Sequence, residues 1–134
     1  MRPGTERRLL QIAVAIGCLS PAYFGLRGVI EGATMLIGVD PGQAPPDLLS
    51  HYRFLSGLFV GLGLILLSCI PHIEQQTARF RWACTAVIVG GVARAFGLTT
   101  GDHPTLGHQL ALGAELGIVP LLLLWQARVA RRFP

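Results

Sequence analysis

Residues 48–70 read LLSHYRFLSGLFVGLGLILLSCI, and the one formal charge among them is Arg53. At ~1.5 Å of rise per residue such a run crosses the ~30 Å hydrocarbon core of a bilayer. Working outward, three further runs of the same character lie at about residues 9–37, 80–98 and 106–127. The chain of 134 residues has 13% charged residues, about half the ~25% of a soluble domain. Its 51% hydrophobic content and 17 glycines are mass that a bilayer accepts. The sequence therefore predicts an all-α fold, an integral membrane four-helix bundle. It forms a single transmembrane domain over residues 1–134, with almost no chain left for a soluble domain.

The 11 cations are all arginine, and those outside the apolar runs fall on one side. Arg2, Arg7 and Arg8 precede the first run, Arg79 and Arg81 separate the second from the third, and Arg128, Arg131 and Arg132 follow the fourth. The two remaining loops have no arginine but carry Asp40, Asp47 and Asp102. The positive-inside rule then places both termini in the cytoplasm of a multi-pass inner-membrane protein. Pro41, Pro45 and Pro46 predict an irregular first outer loop, and Asp102 with Pro104 a short second turn. Ala15-Ile16-Gly17-Cys18 faintly resembles a lipoprotein cleavage box, but the residues that follow stay apolar, so a retained first span is the better reading. The net charge of +4 is divided among three short segments instead of forming one stripe, which argues against a nucleic-acid partner. Anionic inner-leaflet lipid is a sufficient counterpart.

Apolar helices gain nothing hydrophobic by associating in lipid, so small residues mark the faces that approach closely. Ala13 with Gly17, Gly28 with Gly32, Gly57 with Gly61, Gly90 with Gly91 and Gly113 with Gly117 supply such faces in every run. Pro21 and Pro120 fall inside helices and are expected to bend them.

Ionisable side chains inside a span are costly and point to function. Ser20, Tyr23, Arg27, Glu31 and Thr34 recur at helical spacing along the first run. Arg53 stands one turn inside the second run, in register with Gly57 and Gly61, an arrangement expected to aim it into the bundle. Arg94 lies in the outer half of the third run, and His108, Ala111 and Glu115 share a face of the fourth. The inner half of the runs has no ionisable residue. This asymmetry predicts an outward-facing polar cavity, with Arg53, Arg94, Glu115, His51, His108, Arg27, Glu31 and Tyr23 as ligand-binding residues. The bland alternative is a set of internal ion pairs, Arg94 with Glu115 and Arg27 with Glu31, that fixes helix register. Three arginines against two glutamates leave a spare cation, which favours an anionic or carbonyl-bearing ligand.

The expected partner is a membrane lipid or other amphiphile, with an accessory or assembly role beside another membrane protein, or in a homo-oligomer, as its setting. The alternative is an intramembrane enzyme of isomerase or cyclase type, with Glu115 or Glu31 moving a proton on a lipid-like substrate. A glutamate held ionised by arginine suits an ion pair better than a proton donor, so binding is preferred. No cofactor or metal is expected. Cys69, His72 and Cys84 lack finger spacing and a fourth ligand, and His51, His103 and His108 are read as interfacial. Cys18, Cys69 and Cys84 are read as small packing residues. No nucleotide loop, HExxH zinc motif or Ser-His-Asp order is present.

The stretches SHYRFLSGLFVGLGL from Ser50, FRWACTAVIVGGVARAFGL from Phe80 and GAELGIVPLLLLWQARVARR from Gly113 resemble a bacterial family of small four-span membrane proteins. It is the family numbered four-three-four-five among the domains of unknown function. The resemblance runs from Leu9 to Arg132 and implies a four-helix membrane fold. It highlights His51 to Arg53, Gly90 to Arg94 and Glu115, and brings no activity, cofactor or catalytic residue with it.

Overall fold

The structure is a computed structural model that describes residues 3–133. The described residues are helical with no strand, and four helical segments are long and apolar enough to cross a membrane. These are α1 (Pro3–Met35), α2 (Pro46–His72), α3 (Thr77–Thr99) and α4 (Leu106–Ala130). The last three contain the apolar runs expected there, α1 ends two residues short of the first, and most extend into charged or polar turns. The largest extension is at the start of α1, where Glu6 stands in the first turn and suits the positive end of the helix dipole. Ile12, Ile16, Ile30, Trp82, Phe96, Leu110, Leu121 and Leu124 are more than half exposed. In water so much bare apolar surface would drive aggregation, and in lipid it is the surface a span requires.

The residues pack as two compact units. One is Ala13–Ser68, and the other joins the chain up to Ile12 to the chain from Cys69 onward.

In Ala13–Ser68, α1 and α2 run antiparallel along a seam of glycines. A Cβ on Gly25 would stand 2.7 Å from a methyl of Val60, one on Gly28 would meet the Ser56 side chain, and one on Gly32 would lie 3.3 Å from Cζ of Arg53. At the far end of the seam Gly63 packs on Pro21. Gly28 and Gly32 thus act as expected, while Gly57 and Gly61 do not. A Cβ on either would meet nothing within 4 Å, so they are no part of the packed face, and Arg53 is seated by Gly32 instead. Gly32 has a second reason to be glycine, because it ends an α-helical turn with φ +66, a conformation that L side chains resist. In the following loop the Asp40 carboxylate accepts the amide of Gly42 at 2.9 Å and the side-chain amide of Gln43 at 3.0 Å. The loop expected to be irregular is therefore an Asx turn.

In the other unit the start of α3 lies beside the end of α4, and Leu10, Cys69, Ile73, Phe80, Cys84 and Val129 form the buried core there. Gln126 is buried in it and satisfied, donating to the carbonyl of Ile73 at 2.8 Å and to the Thr77 hydroxyl at 3.0 Å. The α3–α4 turn is a Schellman motif. The Asp102 amide bonds to the Gly97 carbonyl and the Gly101 amide to that of Leu98, with Gly101 at φ +99. Such a turn reverses the chain in few residues and makes α3 and α4 antiparallel neighbours.

The two intramembrane prolines act by widening a turn. Residues Pro21–Gly25 and Ala114–Ile118 are π-helical. Proline has no amide to return to the carbonyl four residues back, and the wider ring re-seats the helix around that missing bond. The first wide turn begins at Pro21, and the second ends two residues before Pro120.

Candidate functional site

Arg94, Glu115 and His108 belong to the unit built from α3 and α4, while Tyr23, Arg27, Glu31, His51 and Arg53 belong to Ala13–Ser68. In the first, Arg94 and Glu115 form a bidentate pair, with Nε and one terminal nitrogen donating to the two carboxylate oxygens at 3.1 and 3.2 Å. Two local features make it possible. Glu115 stands on the π-turn of α4, and Gly91, one turn before Arg94, lets α4 come close. A Cβ on Gly91 would lie 2.8 Å from that of Glu115 and 2.9 Å from a methyl of Leu116. Gly90 meets nothing within 4 Å and has no such part. His108 is engaged locally, its Nδ1 3.0 Å from the hydroxyl of Thr105, the residue just before α4.

In the second unit, Arg27 donates from Nε and a terminal nitrogen to both oxygens of Glu31, each at 2.7 Å. The ring of Tyr23 lies under the same guanidinium, 5.8 Å from centroid to Cζ, within cation–π range. Arg53 packs against Gly32, the residue after Glu31, and stays exposed. No hydrogen bond or ion pair joins it to another described residue. His51, one turn earlier on α2, is exposed as well. Both pairs of the bland alternative are thus present, and the spare cation is Arg53.

The family model described as Domain of unknown function (DUF4345) matches residues 9–126. The chain belongs to this family. The match spans all four helices, so the architecture above is that of a DUF4345 protein. Among curated proteins and among solved structures nothing matches the chain.

What the sequence reading missed in this DUF4345 chain lies at its arginine-rich end. Glu6, 5% exposed, lies 3.0 Å from Nε of Arg128 and also pairs with Arg132. Glu74, 8% exposed, lies 3.0 Å from Nε of Arg7. Arg7 also donates to the Pro71 carbonyl at 3.0 Å, and Gln11 to that of Ile70 at 2.7 Å. Arg7, Arg128 and Arg132 are therefore already paired, and α1 carries a buried carboxylate ahead of its apolar run. The signal was an acidic residue beside Arg7 and Arg8, legible only once the two chain ends are known to meet.

Two cavities, of about 420 and 360 Å³, also lie at this end. Glu6, Leu124, Trp125 and Arg128 line the first, and Thr77, Arg81, Ala127, Ala130 and Arg131 the second. Neither includes any of the expected ligand-binding residues. Cys18, Cys69 and Cys84 are buried and free of disulfides, and no cluster of three metal-ligating side chains occurs among the described residues.

Proposed function

We propose that the protein binds an amphiphile with an anionic head, and that Arg53 receives the head beside the Arg27–Glu31 pair. The observation that carries this reading is the exposed, unpartnered guanidinium of Arg53, in contact with a chain whose neighbouring arginine is already neutralised. A planar guanidinium offers an oxyanion two parallel donors, and in a membrane setting little water competes for them. Tyr23 and the exposed Phe24 provide apolar surface on α1 for the upper part of a tail. Both intramembrane glutamates are engaged bidentately by arginine, which supports an ion-pairing role over proton transfer. In this reading the arginine-rich ends face the cytoplasm, so Arg53 receives lipid of the outer leaflet.

The test is gentle purification followed by quantification of bound lipid. Arg53→Gln reduces retained anionic lipid about tenfold, the worth of one charge-assisted contact, and leaves zwitterionic lipid unchanged. Unchanged retention in that variant ends the proposal, and a co-purifying membrane protein lost instead of a lipid moves it to the assembly role. Turnover of a lipid-like substrate abolished by Glu115→Gln or Glu31→Gln would establish the enzyme. The topology has its own check in reporter fusions: a carboxy-terminal fusion is active in the cytoplasm, and periplasmic activity overturns the orientation.

A further inference from the structure

The open groove beside the start of α3 and the end of α4 has a mostly apolar floor with side-chain donors at its edges. Thr77 and Arg81 stand one turn apart on α3, Ala127 and Ala130 one turn apart at the end of α4 with Arg131 just beyond it, and no carboxylate is among them. Arg81 and Arg131 are exposed, with no hydrogen bond or ion pair to a described residue. They differ in this from Arg7, Arg128 and Arg132, which pair with Glu74 and Glu6 in the same unit. Thr77 adds a third donor. Its oxygen already accepts Nε2 of Gln126 at 3.0 Å, so its hydrogen is left to donate. The two alanines keep the α4 wall low.

We propose that this cavity binds a phosphoryl group, with Arg81 and Arg131 gripping its oxygens from either side and the Thr77 hydroxyl donating a third bond. The chemistry selects the group. Two guanidiniums and one hydroxyl, with no carboxylate in the lining, repel a cation and are complementary to a tetrahedral oxyanion. The position at the end of a membrane helix is headgroup depth, so the group reaches it on a phospholipid or free in solution. The site is independent of Arg53, which belongs to the other unit.

The experiment titrates the purified full chain in neutral detergent with phosphatidylglycerol, with phosphatidylcholine and with inorganic phosphate. All variants are made in an Arg53→Gln background, so that the other proposed site is silent. Arg81→Gln and Arg131→Gln each weaken phosphatidylglycerol binding about tenfold, and the double variant about a hundredfold, as two separate charge-assisted contacts should. Both side chains are exposed and unpartnered, so melting temperature stays unchanged and the loss is not one of folding. Arg8→Gln, an exposed cation outside the cavity, changes binding by less than about twofold. Competition by millimolar inorganic phosphate identifies the free anion as a sufficient ligand, and binding that phosphate does not displace identifies the lipid. The proposal is overturned if neither probe binds, if the double variant binds as the parent does, if phosphatidylcholine binds as tightly as phosphatidylglycerol, or if Arg8→Gln weakens binding equally.

Discussion

Replacing Glu115 by glutamine lowers unfolding stability by about 3 kcal/mol, while replacing Arg94 and Glu115 together by methionine and leucine costs about 1 kcal/mol or less. The single change leaves the Arg94 guanidinium between helices without the carboxylate that pairs with it. The double change removes both charges and leaves apolar side chains of similar volume. The Glu115 side chain is only 17% exposed, but that of Arg94 is 35% exposed, and this partial freedom puts the single-mutant cost at the low end of the range for breaking a buried pair. Reversible unfolding of the purified protein in mixed micelles measures both. Single and double losses that simply add would remove the interaction, since residues in direct contact must show a coupling energy.

Gly28→Leu destabilises the packing of α1 on α2 by about 3 kcal/mol, and Gly28→Ala by about 1 kcal/mol, whereas Gly57→Ala and Gly61→Ala are close to neutral. All three glycines belong to small-residue pairs spaced four apart, so sequence alone ranks them together. The structure separates them. A Cβ on Gly28 would sit 2.8 Å from that of Ser56 and 3.1 Å from the Tyr52 ring, while one on Gly57 or Gly61 would meet nothing within 4 Å. Ser56 and Tyr52 are held on a helix and give way only if α2 moves. The same unfolding assay decides the matter, and equal sensitivity at Gly28 and Gly57 would show that the seam is misassigned.

Four spans were legible because their signal is one-dimensional, a run of apolar residues whose length times the helical rise equals the hydrocarbon thickness. The Arg27–Glu31 pair was legible for a similar reason, since four residues along one helix place two side chains on one face whatever surrounds them. Arg94 with Glu115 required one more step: a short turn between consecutive helices makes them antiparallel neighbours, and residues at similar distances from the turn then meet. For Arg27 with Glu31 helical geometry alone brings the partners together, while for Arg94 with Glu115 it supplies the neighbouring helices and packing sets the final approach.

Tertiary structure decided what depends on how a helix is rotated about its own axis. Glycine pairs on α1 and α2 have the same spacing, yet Gly25, Gly28, Gly32 and Gly63 carry the contact and Gly57 and Gly61 do not, because close approach selects one face of each helix. Proline told where a helix would be disturbed, but the form of the disturbance, a π-turn that presents Glu115 to Arg94, depends on the packing that the widened turn must fit. Glu6 with Arg128 and Arg132 is the extreme case, a junction between residues 126 positions apart in the chain. No local pattern encodes such a meeting. The ends of α1 and α4 first have to come together, and only then does an acidic residue in a basic leader become a buried partner for two arginines while Arg81 and Arg131 are left without one.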